Sequence, residues 1–222
     1  MRGPGGIGAY GSSFFVSFKG EPFVLTSAHN CTESSQVWFN FGGNSAELNG
    51  ILSHSDFRMR PVAIDGDTTW EVLTPEFDMS MISLSKDIQS QMNGNITPFS
   101  LATDHLNGKG HYSSYKVIGF GKPDGFPLEF PYYGGIREIP SELIDLHEDV
   151  IDVRVENNQR FIYGGSSGGV MIGEKDDGSF EAIGILSSHY SRQGLHRFTR
   201  ISTQRLEEQI EAGKMVPRDV GL

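Results

Sequence analysis

The sequence predicts an all-β protein closed by one terminal helix. Three observations carry this. Short apolar-aromatic runs recur along the chain, separated by clusters of Gly, Asn, Asp and Ser. Glycine is abundant, at 28 of 222 residues, as many turns require. The clearest helical periodicity lies near the C-terminus. Strands spaced this way, with few long helical patterns between them, build barrels or sandwiches rather than βαβ units.

Taken in order, strands are expected over 13–18, 22–27, 36–41, 79–84, 115–119, 150–155, 169–172, 182–187 and 197–201. The stretch 101–114 is polar and contains Asn107-Gly108-Lys109-Gly110, so it reads as a connection between two halves. The helix follows at 203–213. Ser202 or Thr203 can cap it, because a hydroxyl accepts from the free first-turn N–H groups. Leu206 and Ile210 share one face, and Gly213 can supply the left-handed stop.

The chain carries 28 acidic and 18 basic residues, a net charge of -10, with no dense Lys/Arg cluster. Nucleic-acid binding and adhesion to anionic membranes are thereby disfavoured. No apolar run approaches the ~18 residues of a membrane span. The start, Met1-Arg2-Gly3-Pro4-Gly5-Gly6, has no apolar stretch, so no secretory signal is expected. Cys31 is the one cysteine, which forbids an intrachain disulfide and favours a reducing, cytoplasmic setting. The glycosylation patterns at Asn30-Cys31-Thr32 and Asn95-Ile96-Thr97 are accordingly read as unused. His105, His111 and His147 are scattered without Cys or carboxylate at ligand spacing, so no metal and no cofactor is expected.

Three local patterns carry chemistry. Leu25-Thr26-Ser27-Ala28-His29-Asn30-Cys31 is an apolar strand running into a small-residue turn with a histidine. Phe77-Asp78-Met79-Ser80-Met81-Ile82-Ser83-Leu84 places an aspartate at the head of an alternating strand. Gly164-Gly165-Ser166-Ser167-Gly168-Gly169-Val170 sets a serine in a glycine-rich loop feeding a strand. A serine hydroxyl is a weak nucleophile and needs an adjacent base. Neutral His29 can take that proton and return it to a leaving amine. Asp78 can fix the imidazole tautomer and stabilise its cation. The N–H groups of Gly165 and Ser167 can face a developing oxyanion, where one such donor lowers the barrier by ~3 kcal/mol. Each residue alone is ordinarily structural; their joint occurrence in this order carries the reading.

The three patterns resemble the chymotrypsin/trypsin family of serine proteases: T-[SA]-A-H, D-x-x-[ML]-[IL]-x-L and G-x-S-G-G. The separations, 49 positions from His29 to Asp78 and 89 from Asp78 to Ser167, are similar to the family's. Gly184-Ile185-Leu186-Ser187-Ser188 resembles the strand walling the primary specificity pocket, and Phe198-Thr199-Arg200-Ile201-Ser202 resembles the closing strand before the terminal helix. The resemblance spans about residues 11–213. It implies a catalytic triad of His29, Asp78 and Ser167 and two six-stranded antiparallel β-barrels with a C-terminal α-helix. The division it implies is an N-terminal barrel over 6–101 carrying His and Asp and a connection over 102–114. A C-terminal barrel over 115–202 would carry Ser and the pocket, with the helix over 203–213.

The departures are informative. Secreted members carry Asp immediately before the nucleophile, where it pairs with an N-terminal ammonium released from a zymogen. Here that position is Ser166, and no Ile/Val-Val/Ile-Gly-Gly sequence lies near the start. Cys31 lies one position late for the usual disulfide, with Phe14 near the expected partner. These losses resemble the non-zymogen branches, viral polyprotein proteases and HtrA-type proteases. The pocket base is Phe161 rather than an Asp, which disfavours Lys or Arg selection. The pocket would be completed by Ser187, Ser188, His189 and His196, favouring an uncharged, apolar or Gln-like residue; both histidines fit a role without substrate contact better than one with it. Cys31 reads as a packing thiol, Asp176-Asp177-Gly178 as a hairpin turn and Glu207-Glu208 with Glu211 as a solvated helix face.

The expectation is therefore a serine endopeptidase acting on polypeptides, viral or intracellular and processing a polyprotein. The alternatives are an HtrA-like quality-control protease and a catalytically inactive binding module of the same fold.

Overall fold

The computed structural model describes residues 11–32, 37–41, 44–48, 50–64, 67–92, 97–103, 111–120, 136–155, 166–190 and 195–218. The protein is mostly β. The first half contributes β1 (Phe14–Phe18), β2 (Glu21–Thr26), β3 (Val37–Phe41), β4 (Asn44–Leu48), β5 (Ile51–His54), β6 (Met59–Ile64), β7 (Asp67–Val72), β8 (Ser80–Ser83) and β9 (Phe99–Leu101). The second half contributes β10 (Ser114–Phe120), β11 (Ile136–Leu146), β12 (Val150–Val155), β13 (Val170–Glu174), β14 (Phe180–Tyr190) and β15 (Leu195–Arg200). Helices α1 (His29–Thr32), α2 (Lys86–Met92) and α3 (Thr203–Glu211) follow β2, β8 and β15, and β16 (Met215–Pro217) comes last. None of these helices is long and apolar enough to cross a membrane.

All nine strands expected from sequence occur, and α3 is capped as its sequence dictates. The Ser202 hydroxyl accepts from the Arg205 N–H, and Gly213, at φ +67°, follows the helix end. Seven strands were not expected. Of these, β4, β6 and β7 lie in two hairpins, β3–β4 and β6–β7, that form sheets of their own. β6 and β7 are joined across their faces by the exposed Arg60–Glu71 pair. Strands β9 and β16 are three residues each, too short for a period to register.

Twelve strands form one curled sheet. In the second half, the order β13-β10-β11-β12-β15-β14 returns on itself through a β13–β14 pairing, so these six close a ring. In the first half, the described pairings run β9-β1-β2-β8-β5-β16 without closing. The expected pair of separate six-stranded barrels therefore takes the form of one continuous sheet. Its link is β9, which pairs in parallel with both β1 and β14 and so also departs from the all-antiparallel expectation.

The core explains why β13 and β14 read as continuous apolar runs. Val170, Ile172, Ala182 and Ile185 pack with Phe14, Val16, Leu25, Met79 and Leu206 in a core shared by both halves. Met171, Ile183 and Leu186 pack with Val117, Ile151, Val153 and Phe198 in a second cluster. A strand buried on both faces loses polar alternation.

Candidate active site

Strand register brings the site together. In the β2–β8 pair, Thr26 lies opposite Ser80. The chain leaving β2 and the chain entering β8 thus share one end, which places His29 and Asp78 side by side. In the β13–β14 pair, Val170 lies opposite Ile185, so the Ser167 loop and Ser187 also share an end. The two ends are joined at Leu186, whose carbonyl accepts from the Ser27 hydroxyl at 2.7 Å and from the Gly168 N–H at 2.9 Å.

Asp78 is fully buried, with a relative exposure of 0%. Its Oδ1 accepts from the His29 backbone N–H at 3.0 Å. Its Oδ2 lies 2.7 Å from His29 Nδ1 and accepts from the Ser187 hydroxyl at 2.6 Å. Because a carboxylate only accepts, Nδ1 carries the proton and Nε2 presents the lone pair of the neutral ring. The turn before Asp78, Pro75–Phe77, is held from the second half. The Thr199 hydroxyl reaches the carbonyls of Pro75 at 2.6 Å and Asp78 at 3.2 Å. The buried Arg205 donates to the Glu76 carbonyl at 2.8 Å.

Ser167 is described, and its carbonyl faces the first half. It accepts from the Ser12 N–H at 2.6 Å and from Asn30 Nδ2 at 2.9 Å, one residue beyond His29. Gly168 follows at φ +85°. A Cβ there would lie 2.1 Å from the Ser12 carbonyl oxygen and 2.5 Å from Thr26 Oγ1, so this position accepts no side chain. Ser166, where secreted proteases carry a charge, is buried.

The other sequence candidates fall as follows. Gly165 and Phe161 lie outside the described residues. Ser187, expected in the pocket, donates its hydroxyl to Asp78. Ser188 Oγ is buried and finds no partner among the described residues. His196 is buried on β15, and its backbone pairs with that of His189 on β14. Cys31 is buried, and burial pushes its thiol up to about 11, which leaves it neutral and unreactive beside the site. The residues to which sequence reading gave no role in the site are Asn30, Ser12, Thr26 and Thr199; Thr26 and Asn30 stand within the histidine pattern and Thr199 within the closing-strand pattern, but nothing local shows what their side chains bond to.

No family model and no curated protein matches the sequence. Among solved structures, the chain is similar to a scabies mite inactivated protease paralogue, S-D1. The likeness covers 93% of this chain and 88% of that one, with a TM-score of 0.56 and 16% sequence identity. At that identity the comparison speaks for architecture: the fold of this protein is chymotrypsin-like.

Proposed function

We propose that this protein is a serine endopeptidase with Ser167 as nucleophile, His29 as general base and Asp78 as the residue that orients and balances His29. The observation that carries the reading is the buried Asp78 carboxylate bonded to His29 Nδ1 at 2.7 Å, with the Ser167 carbonyl tied to the neighbouring Asn30. A carboxylate with 0% exposure is costly unless its charge is used or fully paired. Here it points the lone pair of an imidazole away from itself, as a general base requires.

In this mechanism Ser167 Oγ bonds to the scissile carbonyl carbon as its proton passes to His29 Nε2. The carbonyl oxygen becomes an oxyanion facing the N–H groups of Gly165 and Ser167. The C–N bond then breaks, and His29 gives the proton to the departing amine. Water, deprotonated by His29, attacks the acyl-enzyme and releases the acid and the serine hydroxyl. Asp78 stays ionised and stabilises the imidazolium in both half-reactions.

We assign the protein to the non-zymogen branch, processing a polyprotein in a viral or intracellular setting. The support is Ser166, a buried neutral residue where an activation ion pair would need an acid. The resemblance puts Phe161 rather than an acid at the pocket base, with Ser188, His189 and His196 beside it, which favours an uncharged substrate residue. A second reading, a binding module without catalysis, is favoured by the inactivated status named for the similar mite protein. A fluorophosphonate probe separates the two. The enzyme takes the label in the wild type and not in Ser167→Ala; absence of label on folded wild type supports the binding module. Peptide-library cleavage read by mass spectrometry then gives the substrate preference.

A further inference from the structure

The nucleophile loop is fastened to the histidine turn by a closed ring of hydrogen bonds. Asn30 Nδ2 donates to the Ser167 carbonyl at 2.9 Å and to Thr26 Oγ1 at 3.0 Å. Thr26 Oγ1 donates to the Ser12 carbonyl at 2.8 Å. The Ser12 N–H closes the ring on the Ser167 carbonyl at 2.6 Å. The amide orientation of Asn30 follows from its partners, since a carbonyl oxygen can only accept. Gly168 sits directly over the ring, within what would be Cβ contact of Ser12, Thr26 and Asn30.

We propose that Asn30 is a positioning residue for the nucleophile, holding the Ser167 backbone against the turn that carries His29. The proposal rests on the protease reading above and adds a residue to it. The physical need is specific. The Ser167 loop comes from the second half and His29 from the first, so their separation depends on contacts between the halves. Ser166 cannot form the charged pair that fixes this loop in zymogen-derived enzymes. Bonds linked in a ring polarise one another and tolerate little independent motion, so one carboxamide can hold both segments. Asn30 is bonded to both: it belongs to the same short helix as His29 and reaches the Ser167 carbonyl directly.

The test uses Asn30→Leu, which has the same branched heavy-atom shape and no donor, and Thr26→Val, which opens the ring but spares the direct Asn30–Ser167 bond. Acylation rate is measured per titrated active site, together with KM, melting temperature and amide exchange at Gly168 and Gly169. These two amides report the loop because they bond to the Leu186 and Ser166 carbonyls. Asn30→Leu should lower the per-site acylation rate by about tenfold to a hundredfold, leave KM within about twofold, and speed exchange at both glycines. Thr26→Val should lie between it and wild type, and it carries the test if Asn30→Leu does not fold. A per-site rate and glycine exchange equal to wild type would overturn the proposal. So would a fall only in melting temperature and in the number of titrated sites, since that is stabilisation without positioning. If wild type itself takes no label, the protease reading fails and the exchange arm decides alone: faster exchange sustains the latch, unchanged exchange removes it.

Discussion

Ser187 Oγ and His29 Nδ1 both donate to the same oxygen of Asp78, at 2.6 Å and 2.7 Å. The two donors come from opposite halves of the molecule, so this one buried oxygen fixes the histidine relative to β14. Replacing Ser187 by alanine removes a hydrogen bond to a buried charge, typically about 1.5–3 kcal/mol. The expected outcome for Ser187→Ala is a folded protein with a lower unfolding free energy by that order. Its fluorophosphonate labelling should be slowed but not abolished. Unchanged labelling and an unchanged denaturation midpoint would show that the Ser187 bond contributes nothing.

Asp78→Asn tests the orienting role separately. An Asn side chain can donate its N–H to His29 Nδ1, which moves the ring proton to Nε2 and removes the base. In the chymotrypsin arrangement this change lowers kcat by about 10⁴-fold. A loss of that order is expected here, with secondary structure intact by circular dichroism. Near-wild-type turnover would remove His29 from the role of base.

The Thr199 hydroxyl addresses the Pro75 and Asp78 carbonyls together. Thr199→Val keeps the shape and removes the hydroxyl from both carbonyls, leaving Pro75 with the Asp78 N–H at 3.3 Å, at a cost of about 0.5–1.5 kcal/mol. Chemical denaturation should register that loss, and turnover should fall with it because the Asp78 turn loses its anchor. A variant with wild-type stability would mean that Arg205 and the turn's own backbone bonds hold it without the Thr199 hydroxyl.

These contacts mark where sequence reading succeeded and where it stopped. His29, Asp78 and Ser167 could be named because their neighbours form local patterns, and strand register alone carries two of those patterns to a common end. Ser187 is placed at the pocket by the resemblance of Gly184-Ile185-Leu186-Ser187-Ser188 to a pocket-wall strand, and its bond to Asp78 could not be read from that resemblance. Ser187 sits at a bulge. In the β14–β15 pair, Leu186 lies opposite Phe198 and Ser188 opposite Arg197, so Ser187 is the extra residue. Such an insertion re-aims a side chain without leaving a trace in the period of the strand. Asn30 was legible only as part of a glycosylation pattern, because its decisive partner is 137 positions away. Several strands of the first half were hidden for a related reason: β9, at three residues, is too short to show a period, and β4 reads Asn44-Ser45-Ala46-Glu47-Leu48, with no apolar run.

His54 gives a pH-dependent prediction. The ring is 3% exposed and stacks on Phe77 at 4.5 Å, next to Asp78. The Asp56 N–H donates to Nδ1 at 3.1 Å, so Nε2 must carry the proton offered to Gln209 Oε1 at 2.7 Å. The neutral ring is fully satisfied, and burial lowers its pKa despite the opposing influence of Gln209 and Asp56; Arg205 and Lys214 push the same way as burial. The unfolded chain binds the proton near the ordinary value of ~6.5, whereas the folded chain does so only at lower pH. Stability from this site is therefore complete above ~6.5 and is lost as pH falls toward the folded value. Urea midpoints should drop on acidification in wild type, and the slope should flatten in His54→Gln. Equal slopes would assign the acid loss to other groups.

Cys31 gives the opposite limb. Its thiol is buried with no exposure, and desolvation raises it from 9.0 to about 11, against a lowering influence from Ser80 and Arg218. The folded state keeps the proton that the unfolded state releases. Stability is thus present below the unfolded pKa and declines as pH rises from about 9 to about 11, by on the order of 2–3 kcal/mol across that window. Cys31→Ala should be less stable at neutral pH, because it leaves space, yet lose less on further alkalinisation. The same burial predicts that iodoacetamide alkylates the protein at pH ~8 only after unfolding. It also predicts that thiol reagents leave fluorophosphonate labelling of Ser167 untouched. Fast alkylation of the native protein, or loss of labelling after it, would move the reactive group from the serine loop to the histidine turn.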